Sequence, residues 1–395
     1  MGQTKQYRVL FYVQHLLGVG HVRRASLLCE ALVAAGLDVH MVLGGESVAA
    51  IHFTGAQCHY LPAIRVQNAD FSVLVDAFGN PLSEQARQTR RDQLLALAAH
   101  IRPDAIITEM FPFGRRQMRF ELLPLLQWAQ QQQPRPLLIC SLRDIVQQRS
   151  ADREQETLQL INRYYRRVWV HGDHRFASLE QSYRLTPALG DRLHYTGYVA
   201  PRAPRIQPRR GVVVSAGGGA VGLRLLQAAI GAYHSGLLQD QPWTLIAGPN
   251  LPQPAFEQLA ASLRSPHLHL VRFCSDFVSR LGAAQLSISQ GGYNTVMDVL
   301  VSQVPAVIVP YVGSGETEQI SRARQLQHAG RISLALESEL DADSLSRAAQ
   351  AALQQSRATP LQHQPIMQLN GAQAAANDLL HLLRARSASN AQGTP

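Results

Sequence analysis

Residues 8–36 read RVLFYVQHLLGVGHVRRASLLCEALVAAG, and the order of residue types in them decides the fold. RVLFYV at 8–13 is a short apolar run rich in β-branched and aromatic residues, the pattern of a strand buried on both faces. RRASLLCEALVAAG at 23–36 sets leucine and alanine at helical spacing and stops at a glycine. GVGH, ending at His21, joins the two, and DVHMVL at 38–43 resumes the apolar pattern. Strand, glycine turn, helix, strand is how a parallel sheet covered by helices begins.

The alternation continues along the chain. Further strands are predicted at 104–108 (DAIIT), 136–141 (PLLICS) and 167–171 (RVWVH), with a shorter one at 58–61 (CHYL). VAPRAPRIQPRR at 199–210 has no usable periodicity and crowds prolines with arginines, so it reads as a linker. Strand runs then restart at 211–216, 243–248, 268–273, 284–290, 305–310 and 331–336. A chain of 395 residues exceeds the length at which one core usually stops growing. The expectation is an α/β protein of two Rossmann-like domains facing a central cleft. Its parts are residues 1–200, a linker at 201–210, a second domain at 211–386 whose last helix (372–386) packs near the domain junction, and a disordered tail at 387–395.

Composition narrows the setting. Lysine and arginine number 37 against 28 acidic residues, a formal charge of +9 that favours anionic partners without choosing among them. No run approaches the length of about 20 apolar residues that crosses a bilayer, and MGQTKQY lacks a secretory signal's apolar stretch. A cytoplasmic protein is expected. Cys29, Cys58, Cys140 and Cys274 lack zinc-type spacing and read as buried thiols. EMFPFGRRQMRFELLP at 109–124 mixes Arg115, Arg116 and Arg119 with Phe111, Phe113, Met118 and Phe120. That mixture suits an anionic membrane surface on the inner face, an acidic glycan, or the simple covering of a helix.

Three loops of the second half carry candidate chemistry. SAGGGAVG at 215–222 follows a β run and opens a helical pattern, so the amides of Gly217, Gly218 and Gly219 could hold a pyrophosphate. A packing turn needs glycine too, and the lysine of a P-loop is missing. SQGGYNTVMD at 289–298 ends a strand in Gly291 and Gly292; Asn294 and Asp298, one helical turn apart, then share a helix face, with Thr295 beside Asn294. They address either a ligand or only the helix end, as cap and dipole complement. In YVGSGETEQISRA, Glu318, Gln319 and Arg322 follow a further strand, which puts all three loops on one rim.

Taken together these residues resemble the two-domain nucleotide-sugar glycosyltransferases of the GT-B fold, particularly the MurG-like group, over residues 7 to about 386. The resemblance implies an NDP-sugar donor against the C-terminal domain and an acceptor against the N-terminal one. It matches 215–220 to the loop facing the donor phosphates, and Gly291, Gly292 and Thr295 to a glycine turn. Asp298 stands where the family usually has a ribose-holding glutamate, and Gln319, with Glu318 beside it, where a glutamine recognises the donor sugar. GVGH resembles the turn whose histidine is a candidate base or acceptor-site group. The shorter Asp298 and the arginine-rich loop after Glu109 depart from the MurG pattern and argue against the peptidoglycan substrate.

The reading that follows is hexosyl transfer from an NDP-sugar, UDP-linked by preference, to a glycan, lipid-linked or small-molecule acceptor, with an inverting outcome. His21 is the candidate base and Glu109, which ends a strand, its alternative or orienting partner. The glycine amides, assisted by Arg322, would meet the departing diphosphate. No D-x-D pair stands at a strand end, so neither a metal nor another cofactor is expected. Rival readings are an NDP-sugar hydrolase or epimerase and a nucleic-acid-binding protein; the scattered arginines make nucleic acid the weaker partner. Arg23 and Arg24 are ambiguous between helix surface and acceptor contact.

Overall fold

The computed structural model describes residues 6–16, 20–48, 51–66, 73–205, 207–217, 222–313, 317–358 and 367–392, with side chains up to residue 388. The chain divides into two compact units, Met1–Val199 with Gln368–Pro395, and Ala200–Met367.

The first unit runs β1 (Arg8–Val13), α1 (Gly20–Ala34), β2 (Asp38–Leu43), β3 (Gln57–Tyr60), β4 (Arg65–Val66), β5 (Leu74–Val75), α2 (Glu84–Ile101), β6 (Ala105–Glu109), α3 (Arg119–Gln131), β7 (Leu137–Arg143), α4 (Ala151–Tyr164), β8 (Arg167–His171) and β9 (Leu193–Tyr195). Seven strands form one sheet in the order β3-β2-β1-β6-β7-β8-β9, every pair parallel. β4 and β5 make a small antiparallel pair. Alternation along β1 splits the core: Leu10 and Tyr12 pack with Leu94 of α2 and Leu122 of α3, while Val9, Phe11 and Val13 pack with Leu28 and Leu32 of α1. Both faces being covered, the strand reads as a continuous apolar run.

The second unit runs β10 (Val212–Ser215), α5 (Leu223–His234), β11 (Trp243–Ile246), α6 (Gln253–Ser262), β12 (Leu268–Val271), α7 (Phe277–Ala283), β13 (Leu286–Gln290), α8 (Tyr293–Ser302), β14 (Ala306–Val309), α9 (Glu318–His328), β15 (Ser333–Leu334) and α10 (Ala342–Ala358). Its six parallel strands are ordered β12-β11-β10-β13-β14-β15. Val212, Val214, Leu245 and Ile288 pack with Leu226 of α5 and Leu345 of α10. Arg209, in the proline-rich stretch, donates to the carbonyls of Ala284 at 3.1 Å, Ser302 at 3.0 Å and Gln303 at 2.9 Å. It thereby supplies charge and donors to the C-terminal ends of α7 and α8.

The last helix, α11 (Gly371–Gln392), belongs to the first unit and not to the second, with which the sequence pattern grouped it. Ala375, Ala376, Leu379, Leu382 and Leu383 complete the cluster around Leu28, Cys29 and Leu32 of α1. Asp378 fixes its register, accepting from Trp169 Nε1 at 2.7 Å and Arg167 Nη2 at 3.0 Å. The expected tail from 387 is helical to Gln392, and Ser387 Oγ lies 3.0 Å from Tyr7 Oη. Of the four cysteines, Cys29 and Cys140 are buried, but Cys58 is exposed on β3 and Cys274 half-buried.

Leu379→Ala removes a wholly buried side chain from the seam between α11 and the sheet of the first unit. It is expected to cost about 2–5 kcal/mol of unfolding free energy, read from urea denaturation followed by tryptophan fluorescence.

Candidate functional site

In the first unit β1 leads through α1 to β2 on one side, while β6 lies on the other side of β1. The strand order reverses there, and the carboxyl ends of the strands at such a switch point are where α/β proteins hold ligands. His21 stands in the first turn of α1 and Glu109 is the last residue of β6. The structure brings the two together, with His21 Nδ1 3.0 Å from Glu109 Oε1.

Glu109 is wholly buried and fully engaged. Its Oε1 also accepts from Arg24 Nη2, and its Oε2 accepts from Ser141 Oγ at 2.8 Å. Ser141 is its register partner on β7. The chain of contacts continues from Ser141 Oγ to His171 Nε2 at 2.9 Å and from His171 Nδ1 to Thr196 Oγ1 at 2.9 Å. Burial alone would raise the Glu109 carboxyl; the Arg24 charge and the bonds from His21 and Ser141 outweigh it and hold the group well below the usual carboxylate range. Burial, then the Arg115 charge, push the His21 imidazole down to about 3 despite its bond to Glu109. His171 is likewise pushed down to about 3, by burial first and Arg24 second.

Protonation states follow. At neutral pH His21 is neutral and Glu109 ionised; an ionised carboxylate can only accept, so the 3.0 Å contact puts the proton on Nδ1. Nε2 is then the basic nitrogen of a side chain that keeps 18% exposure. Arg24 Nη2, 3.3 Å from Nδ1, is there because both groups donate to the same oxygen.

Arg24, Ser141 and His171 are absent from the sequence-derived site. Arg24 is 2% exposed and serves as Glu109's counter-ion, which resolves its ambiguity in favour of neither helix surface nor acceptor contact. Its place three residues after His21, on one helix face, is the available signal. The segment 109–124 is corrected more strongly. Phe111, Phe113 and Met118 lie in the core, and Arg116 and Arg119 pair with Glu156. Three of the four apolar side chains that would enter a membrane interface are therefore under the surface, and Phe120 is half-buried with the Arg87 guanidinium over its ring.

The second unit repeats the switch point between β10 and β13. Gly217 adopts φ +71°, and a Cβ there would stand 3.2 Å from Gln290 Oε1 at the end of β13. A Cβ on Gly291 would meet Pro310 Cα at 3.1 Å and Gln319 Oε1 at 3.3 Å. Gln319 Oε1 accepts the Tyr311 N–H at 3.1 Å, which ties α9 to the end of β14. Gly217, Gly291 and Gln319 thus share one rim, whereas Gly218 and Gly219 lie outside the described residues. Gly292 precedes α8 with open space at its Cβ position, and Asn294 and Thr295 are half-buried in the first turn. Asp298 is wholly buried. Glu318 and Arg322 form a buried ion pair at 2.8 Å, and the Arg322 guanidinium lies 5.1 Å from the centre of the Tyr293 ring. Asp298, Glu318 and Arg322 are thus all buried.

Among the described residues no group of three or more His, Cys, Asp or Glu is placed to hold a metal ion, and no helix is long and apolar enough to cross a membrane. In the D-A-D at 341–343, Asp341 Oδ1 accepts the Ser344 N–H at 2.7 Å and caps α10.

Comparison with known proteins agrees with this architecture. The glycosyltransferase family 28 C-terminal domain matches residues 212–379. A Methanosarcina mazei protein named as an uncharacterized glycosyltransferase is 21% identical over 339 residues, 80% of this chain and 83% of its own. The Synechocystis UDP-N-acetylglucosamine–N-acetylmuramyl-(pentapeptide) pyrophosphoryl-undecaprenol N-acetylglucosamine transferase is 26% identical over 143 residues, 36% of this chain and 39% of that enzyme. Among solved structures, CalG4, the calicheamicin glycosyltransferase, superimposes with a TM-score of 0.62 at 14% identity, covering 97% of this chain and 99% of CalG4. MurG of Acinetobacter baumannii gives 0.57 at 14%, over 95% and 99%. The chain has the GT-B fold. Its likeness extends over several GT-B glycosyltransferases and does not single out MurG, which broadens the resemblance read from the sequence.

Stability is expected to track the two depressed histidines. Between pH 6.5 and about 3 the unfolded chain binds a proton at His21 and at His171 that the folded chain refuses. Their contribution is complete above the unfolded value and lost as pH falls, at about 1.4 kcal/mol per pH unit for each. Glu109 adds its own loss only below its ordinary value of 4.5. Urea melts of the protein and of His171→Gln at pH 7 and pH 5.5 check this, the variant showing the smaller loss.

Proposed function

We propose that the protein transfers a hexosyl group from an NDP-sugar to a hydroxyl acceptor, a glycan, a lipid-linked sugar or a small molecule, with inversion at the anomeric carbon. The observation that carries this reading is the His21–Glu109 pair: a neutral imidazole at a strand-end switch point, its Nδ1–H held by a buried carboxylate and its Nε2 the basic nitrogen of a partly exposed side chain. In a GT-B protein such a group suits the acceptor hydroxyl. Nε2 takes the hydroxyl proton as the oxygen attacks the anomeric carbon, the glycosidic bond to phosphate breaks, and the electron pair leaves on the nucleoside diphosphate. Glu109 does not take the proton; it orients the ring and favours the imidazolium as it forms.

On the donor side we assign the diphosphate to the amides around Gly217, Gly218 and Gly219, which would meet developing negative charge without a metal. Gly291, Gly292, Asn294 and Thr295 are assigned to the neighbouring phosphate or ribose contacts, and Gln319 to the sugar. Asp298, Glu318 and Arg322 are assigned a supporting place: the buried ion pair and the Tyr293 contact hold α8 and α9 in position behind the rim. UDP is the favoured nucleotide because the peptidoglycan relatives carry UDP-N-acetylglucosamine in their names.

The test is a mass-spectrometric screen of UDP-, GDP- and dTDP-sugars for acceptor-dependent nucleotide release. His21→Ala is expected to lower kcat by about 10²–10⁴-fold while leaving nucleotide affinity unchanged. Nucleotide release from donor alone, undiminished without any acceptor, would transfer the same site to a hydrolase. Full turnover in His21→Ala would remove His21 from the reaction.

A further inference from the structure

Three arginines, Arg24, Arg115 and Arg143, stand around the proposed base of the first unit. Arg24 is matched by Glu109, with which it makes a buried pair. Arg115 and Arg143 stand on the same strand ends: Arg143 closes β7 two residues beyond Ser141, and Arg115 follows β6 in the turn before α3. Arg115 is held in the left-handed region at φ 57° by that turn, and its Nε is buried without a hydrogen-bond partner among the described residues. Its electrostatic neighbours are Glu109, Arg143, Tyr12 and Arg24, and its charge reaches His21 and His15 as well. Arg115 therefore stands beside the ionised Glu109 and the neutral His21, with Arg143 and Arg24 as further positive neighbours.

A half-buried arginine beside other arginines is costly in the free protein, and desolvation together with Arg143 lowers the Arg115 guanidinium to about 10. A bound oxyanion reverses that cost, since the planar guanidinium offers paired donors matched to phosphate and carboxylate.

We propose that Arg115, backed by Arg143, binds an anionic group of the acceptor, a phosphate or carboxylate placed beside the hydroxyl that His21 deprotonates. The assignment rests on the transfer reaction proposed above, and it narrows the acceptor to compounds carrying such a group. It belongs to the acceptor and not to the donor, because Arg115 stands at the same strand ends as the base, whereas the glycine turns assigned to the donor diphosphate lie in the other unit. Arg116, one residue on, is exposed and paired with Glu156, so it serves as an internal control.

The experiment measures binding of inorganic phosphate and, in a second arm, acetate to the full chain by calorimetry, for the protein, Arg115→Asn and Arg116→Gln. Asparagine tolerates the left-handed backbone, and equal melting temperatures confirm that it folds. Phosphate affinity is expected to fall at least tenfold in Arg115→Asn, to stay unchanged in Arg116→Gln, and UDP affinity to stay unchanged in both. A stronger response to acetate than to phosphate would name the group as a carboxylate and uphold the site. Equal anion binding in the protein and Arg115→Asn would overturn the proposal, as would a parallel loss of UDP affinity, which would give Arg115 to the donor. The two readings separate cleanly. An active transferase with no Arg115-dependent anion site refutes this inference alone, and an Arg115-dependent site in a chain that turns over no NDP-sugar refutes the reaction.

Discussion

The buried carboxylate of Glu109 is the constraint from which the first unit's site is built. A charge at the carboxyl end of a central strand cannot stay ionised without donors, and here Arg24, His21 and Ser141 provide them from α1 and β7. Each donor is fixed in turn: those of α1 by its packing against the sheet and α11, and Ser141 by strand register and by its contact with His171, itself bonded to Thr196. Removing the carboxylate would strand Arg24 in a dry place, a loss on the order of 3–5 kcal/mol. The orientation of the His21 ring is thus set by the same bonds that make the fold tolerate Glu109.

A second buried ion pair supports the neighbouring loops. Arg90 of α2 donates to both oxygens of Glu121 at 2.7 and 2.8 Å and to Gln14 Oε1 at 2.9 Å, as well as to the Gly44 carbonyl at 3.0 Å. Gln14 begins the segment between β1 and α1, and Gly44 follows β2. One guanidinium therefore ties together two loops at the rim of the sheet, reaching it from the helix layer below.

Much of this was legible in residue order because parallel strands buried on both faces are continuous apolar runs. Arg8–Val13, Asp38–Leu43 and Arg167–His171 fall where the pattern puts them. His21 and Glu109 were legible for a related reason, since polar residues at the ends of such runs stand at the carboxyl edge. Arg24, Ser141 and His171 were not, because their roles depend on register between strands far apart in sequence, and a serine or histidine ending a strand has no local mark of what faces it. Residue order left the segment 109–124 open among three readings. Aromatics beside arginines look the same whether the rings face lipid or a core, and here Phe111 and Phe113 turn inward. The closing helix was assigned by proximity in sequence to a domain from which it in fact departs, its apolar stripe being complementary to α1.

That return of the chain has a consequence for biosynthesis. Ala200–Met367 is topologically an insertion: both of its ends are flanked by segments of the other unit. When the ribosome has made the first 199 residues, the face of the sheet under α1 still lacks Ala375, Ala376, Leu379, Leu382 and Leu383. The second unit, whose strands and helices are contiguous in sequence, can reach its native state while the first waits with apolar surface uncovered. Vectorial synthesis thus completes the inserted unit before the one that begins the chain, and the nascent amino-terminal half is the portion in most need of chaperone shelter.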